Sequence, residues 1–263
     1  MKLNIVPART GILWVKLGIQ TFFKQPLALA GLFFLYTACA TLLSQVPVAG
    51  VVLALAIVPA ATLGLMAATQ EAVKGRFPMP TVLISAFRAG RQQARAMLVL
   101  GLLYAAACFA VMALVPLLVG LPVDTPQTPT PEAIMTPAFQ MAILVGAALY
   151  LPISLMFWHA PALVHWHGIS PVKSLFFSSV ACLRNAGALL VFGLGWLAVV
   201  FAGTLLMGLV ALATGNPQVA ATALMPLALL LTAMFSTSLY FTFRDSFVAT
   251  TDADTDPQPG EPS

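Results

Sequence analysis

The sequence predicts an all-α polytopic membrane protein: six transmembrane helices set as three hairpins, each hairpin preceded by an amphipathic interfacial helix. Three observations lead there. Apolar residues make up 60% of the 263 residues and charged residues only 8%, against roughly 45–50% and 25% in an ordinary globular domain. Mean hydropathy is +0.96. Six runs reach the length of about 20 apolar residues that a bilayer-crossing helix needs. Finally, all 12 Lys and Arg fall in alternate connections between those runs. This balance excludes a secreted disulfide scaffold, a disordered chain and a typical cytosolic enzyme. The alternating segments of about ten residues that mark an outer-membrane barrel are absent.

Residues 1–26 carry Lys2, Arg9, Lys16 and Lys24. Helical spacing over Pro7–Gln25 puts Arg9, Lys16, Gln20 and Lys24 on one face and Ile12, Val15, Ile19, Phe22 and Phe23 on another. The first span, about 27–46, starts too far in for a cleaved signal peptide and reads as retained. A tight turn at Pro47 leads to the second span, about 48–69. There Ala56, Ala60, Gly64 and Ala68 form a stripe that lets backbones approach closely.

Residues 70–95 carry Lys74, Arg76, Arg88, Arg91 and Arg95. Pro80 opens this amphipathic segment, and Arg88, Arg91 and Arg95 line one side at spacings of three and four. The third span is about 96–121. The connection over 121–137 is rich in proline and threonine, with Asp124 and Glu132 as its charges; it reads as an extended spacer, or as a docking loop. The fourth span is about 138–158. Ser170-Pro171 then marks the start of a third amphipathic helix, which bears Lys173 and Arg184. The fifth and sixth spans, about 188–212 and 219–243, are joined by a turn at Gly215-Asn216-Pro217. Gly187, Gly195 and Gly203 form a second small-residue stripe, and Pro59, Pro116, Pro152 and Pro226 shape their helices. Residues 1–249 are thus expected to be a single membrane domain, with 250–263 a disordered acidic tail.

Positively charged segments resist translocation, so the basic connections and both termini are expected in the cytoplasm and the chain in a bacterial inner membrane. The three units can also be laid side by side. Tyr36, Tyr104 and Trp196 then coincide, as do Lys24, Gln92 and Arg184, and Leu29, Met97 and Leu189. This predicts a pseudo-threefold repeat.

Chemistry is sparse. Ion-coupled transporters hold an ionisable residue near the membrane midplane, and none falls inside a run. Thr37, Thr41, Thr62, Ser154, Thr204, Thr232, Ser236 and Ser238 are each expected to bond their own helix carbonyls. No phosphate-binding loop, serine-hydrolase elbow or zinc-protease motif occurs. Glu71 with Lys74 and Arg76 reads as a solvated charge cluster. Cys39, Cys108 and Cys182 lack metal spacing and read as packing residues.

The suggestive cluster is FWHAPALVHWHG, where His159, His165 and His167 gather beside Trp158 and Trp166. An interfacial aromatic belt with polar anchors is the expected role; a metal site or a pH sensor are the alternatives. No cofactor is expected. The spread of positive charge points to anionic membrane lipid rather than nucleic acid. The residues expected to face lipid headgroups are Arg9, Lys16, Lys24, Arg88, Arg91 and Arg95.

VPARTGILWVKLGIQTFFKQPLALAGLFF, PMPTVLISAFRAGR and FWHAPALVHWHGISPVKSLFFSSVACLRN resemble an uncharacterised family of six-span proteobacterial inner-membrane proteins. The match covers nearly the whole chain apart from 121–137 and the tail after Asp245. The amphipathic-helix-plus-hairpin arrangement is more weakly similar to membrane domains fused to glycerophosphodiester phosphodiesterases, whose catalytic domain has no counterpart here. Neither resemblance implies catalytic residues. The expected role is therefore non-catalytic: a lipid-associated or scaffold protein in envelope maintenance, with a membrane-protein partner or a second copy as possible company. A permease or exporter of a neutral or lipidic solute is the alternative.

Overall fold

The computed structural model describes residues 2–120 and 134–248. Helix α1 (Thr10–Lys24) leads into the first span, α2 (Pro26–Ser44). The second span is in two pieces, α3 (Gly50–Ala56) and α4 (Val58–Val73). The break falls just before Pro59, which has no N–H to donate. A 3-10 turn (Pro80–Ile84) and the one-turn α5 (Ser85–Arg88) precede the third span, α6 (Arg91–Val119). The fourth span is α7 (Pro137–Trp158), followed by the short α8 (Ala160–His167). Helix α9 (Pro171–Arg184) precedes the last two spans, α10 (Ala186–Thr214) and α11 (Pro217–Ser246). Strands β1 (Lys2–Leu3) and β2 (Phe247–Val248) pair antiparallel. Among the described residues, six helices are long and apolar enough to cross a membrane. The tail expected over 250–263 and most of the 121–137 connection lie outside the described residues.

The break between α7 and α8 has a local cause. The Ser178 hydroxyl donates to Leu155 O at 2.7 Å and accepts from His159 N at 3.0 Å. It replaces the bond that a continuous helix would make between those two groups, which is one way a side chain bends a helix.

Helix α1, the 3-10 turn and helix α9 each pack on the apolar helices. Helix α1 lies against α10 and α11. A Cβ at Gly11 would collide with Ala188 O, and one at Gly18 with Ser238. The 3-10 turn packs on α4, where a Cβ at Gly64 would stand 2.7 Å from Leu83 Cα. Helix α9 packs on α7 and α8. Helix α11 is the common neighbour of α1, α2, α4 and α10.

Two expectations need correction. The second amphipathic segment is not one regular helix. Gly90 adopts φ +115°, a conformation that glycine alone takes readily, and it separates Arg88 at the end of α5 from Arg91 and Arg95 in the first turns of α6. The apolar face read for α1 is also divided. Val15 and Phe22 are buried against the protein, whereas Ile12 and Phe23 are exposed on the side that carries Lys16 and Lys24.

Candidate basic-end clefts

One end of the bundle gathers the N-terminal arm, the 71–95 connection, residues 159–185 and the end of α11. A polar clasp fastens it. Asn185, buried at the start of α10, accepts from Val6 N at 2.9 Å and donates to Asn4 O at 3.0 Å and Ser246 Oγ at 3.3 Å. Asn4 N donates to Ser246 O at 2.9 Å. Trp14 Nε1 donates to Asp245 Oδ2 at 2.9 Å, while Arg244 Nε holds Oδ1 at 2.7 Å. This clasp was missed in the sequence. An asparagine between two helices is the one available signal.

Arg9, Lys16, Lys24, Arg88, Arg91 and Arg95 are all exposed, and the structure does not bring all six together. Arg91 and Arg95 line one cleft of about 770 Å³ with Gln92 and Gln93. Its far wall is Gly168–Pro171, and Ala96, Val99 and Val164 are its apolar lining. Ser170 lies at the N-cap of α9 but makes no side-chain cap bond. Arg88 belongs to a neighbouring cleft of about 540 Å³, with Glu71, Ser85 and His165 among its lining. Ser85 Oγ and His165 Nδ1 are buried atoms without a hydrogen-bond partner among the described residues. Glu71 is tied to Arg76 by two bonds of 2.5 and 2.7 Å, and this carboxylate raises the Arg76 pKa. The charge cluster read there is a surface ion pair, with the Arg76 side chain 60% exposed.

The histidines do not form one site. His159 is buried against Phe243 and Phe247, with ring centroids 5.9 and 5.5 Å away. His165 faces the Arg88 cleft, and His167 packs on Phe243 at 6.0 Å. Among the described residues, no group of three or more His, Cys, Asp or Glu side chains is placed to hold a metal. The flanking tryptophans are half-buried and each packs on α11. Trp158 donates to Thr242 Oγ1 at 3.1 Å and Trp166 packs on Phe243 at 5.1 Å. Both lean on α11 because the bend at His159 turns this stretch back into the protein.

Each of the eight hydroxyls named from the sequence donates to a carbonyl three or four residues earlier in its own helix. Helix α9 is arranged in an inside-out sense. Ser174, Ser178 and Ala181 are 0% exposed, whereas Val172 is 71%, Phe176 64% and Leu183 66% exposed. In water such a face would be unfavourable; against acyl chains it is the stable choice.

No family model matches the chain, and no solved structure matches it. The architectural likeness to phosphodiesterase membrane domains therefore receives no support from either comparison. A protein of Burkholderia thailandensis described as a probable inner membrane protein is 38% identical over 257 residues, covering 94% of each chain. With six apolar helices and this relative, the chain is a multi-pass inner-membrane protein, and it belongs to the same family as the Burkholderia protein.

Proposed function

We propose that this protein is a non-catalytic membrane scaffold whose basic end faces the cytoplasm and holds anionic phospholipid headgroups. The observation that carries the reading is the Arg91–Arg95 cleft. Two exposed guanidiniums stand over an apolar lining of Ala96, Val99 and Val164, matching a phosphate above the first carbons of a lipid. Arginine suits phosphate because its fork can donate two bonds at once.

The outward apolar faces of α1 and α9 support a position at the headgroup layer. Ile12 and Phe23 in α1 and Val172 and Leu183 in α9 are all exposed. The alignment that pairs Tyr36 with Trp196 pairs these residues too. It also pairs Trp14, Val15, Gly18, Thr21 and Phe22 with Ser174, Leu175, Ser178, Ala181 and Cys182, and all ten are buried. In the spans it pairs Leu32, Leu100 and Phe192, each at most 3% exposed. These correspondences support a threefold repeat of interfacial segment plus hairpin. The clustering of Lys and Arg at one end supports cytoplasmic termini.

Each cation near an anionic membrane surface contributes about 1 kcal/mol, so two together give about a 30-fold change in affinity. The test is native mass spectrometry of protein released from nanodiscs of phosphatidylglycerol and phosphatidylethanolamine. Arg91→Gln with Arg95→Gln is expected to lower bound phosphatidylglycerol roughly in that proportion, whereas Arg88→Gln, in the other cleft, changes it little. Equal phosphatidylglycerol on the double variant and the parent protein would refute the reading.

A further inference from the structure

The seam between the fourth and fifth spans differs from the seam between the second and third. Helix α6 meets α3 at backbone contact, and a Cβ at Gly101 would collide with Ala56 O. Gly101 stands three residues before Tyr104, and Gly193 stands three before Trp196, the residue that the repeat alignment pairs with Tyr104. Gly193 is thus placed for the same close approach, yet a Cβ there would meet nothing within 4 Å.

Helix α7 packs on α6 and α9. It reaches α10 and α11 through Trp158, whose ring lies 6.2 Å from both Phe192 and Phe235. Beyond Trp158 the seam opens into a cavity of about 560 Å³, walled by Leu151 and Leu155 on one side and by Leu190, Leu194 and Leu197 on the other. Trp196 and Phe235 line it and also line a second apolar cavity of about 390 Å³ between α10 and α11.

We propose that this open seam is a lipid site that holds one acyl chain of a phospholipid. Water is a poor occupant, because a buried water needs two to four polar partners and the Ser154 hydroxyl on the wall already donates to Leu151 O at 2.7 Å. An empty slot would forfeit the dispersion contacts of its lining. The adjoining solvent at this depth is hydrocarbon. Cys182 and Leu183 line the basic-end side of the cavity, and Arg184, the next residue, is exposed; a phosphate at that mouth has a cation beside it. The site is separate from the Arg91–Arg95 cleft and does not depend on it.

The experiment uses the full chain in vesicles of phosphatidylethanolamine and phosphatidylglycerol with a trace of phosphatidylglycerol carrying a mid-chain diazirine. Photolysis is followed by peptide mass spectrometry. Adducts are expected on Trp196, which is only 5% exposed, and on Leu155. Gly193→Phe points a ring into open space, so it fills the seam without displacing the backbone. It is expected to reduce those adducts at least fivefold, while adducts on outward-facing Leu206 and Leu209 persist. Gly193→Ala is expected to keep them. Undiminished Trp196 adducts in Gly193→Phe would overturn the proposal. So would absent Trp196 adducts together with crosslinking of Gly193→Cys between two copies, which would make a second chain the occupant. Arg91→Gln with Arg95→Gln is expected to leave the seam adducts unchanged, so failure here and failure of the headgroup cleft are read separately.

Discussion

The indole N–H of Trp158 donates to Thr242 Oγ1 at 3.1 Å, tying the end of the fourth span to the sixth. Two further tryptophans use the same helix: Trp196 donates to Ser238 Oγ at 3.2 Å and Trp14 to Asp245 Oδ2 at 2.9 Å. Positions 238, 242 and 245 follow one another at spacings of four and three, so they share a face of α11. Trp166 completes the set by packing on Tyr240 and Phe243 at 6.3 and 5.1 Å. All four tryptophans, drawn from α1, α7, α8 and α10, converge on one helix.

The first prediction concerns this convergence. Trp14 is 0% exposed, so Trp14→Ala removes a large buried side chain and one bond to Asp245; such truncations cost about 3–5 kcal/mol. Trp158→Phe keeps most of the packing and loses one hydrogen bond, worth about 0.6 kcal/mol between membrane helices. Unfolding in mixed micelles with increasing sodium dodecyl sulfate reads both. Equal midpoints for the two variants would show that Trp14 is not an anchor.

The six spans were legible because runs of Leu, Ala, Val and Phe without charge leave one solution in lipid, and their ends fall close to the expected ones. Of the two small-residue stripes, the first does bring backbones together at Gly64, which meets Leu83, whereas Gly187, Gly195 and Gly203 meet only side chains. Two kinds of feature were not legible. Arg88, Arg91 and Arg95 have helical spacing, and periodicity is blind to the positive φ at Gly90 that breaks the helix between them. Trp158 and Trp166 at the end of a span look alike whether they face lipid or protein. The Ser178 hydroxyl, set between Leu155 O and His159 N from another helix, bends the chain there, and both rings end up half-buried against α11.

The second prediction concerns the clasp between the chain's two ends. Asn185 bonds both Val6 N and Asn4 O, and its side chain is buried. Asn185→Ala leaves Val6 N without that acceptor, and an unsatisfied buried group costs about 1–3 kcal/mol. The β1–β2 pair has only two residues in each strand and cannot hold the arm alone. Limited proteolysis is expected to cut the first nine residues of the variant faster than those of the parent protein, with the spans still protected. Unchanged cleavage would place the hold on the arm elsewhere.

The third prediction concerns Cys182, which is 1% exposed and donates weakly to Leu155 O at 3.6 Å. Burial pushes its pKa up to about 12, partly opposed by a hydrogen bond with Ser178. The thiolate is the reactive form, and a raised thiol pKa depletes it at every pH below that value. At pH 8 the folded protein, with Cys39 and Cys108 replaced by Ala, is therefore expected to resist N-ethylmaleimide. Adding sodium dodecyl sulfate returns the thiol to an ordinary pKa near 8.5 and is expected to give full labelling. Because Cys182 reports the contact between α9 and α7, rapid labelling without denaturant would mean that α9 swings away from the end of the fourth span in the working protein. The thiol would then be reached from the same seam that Gly193 leaves open.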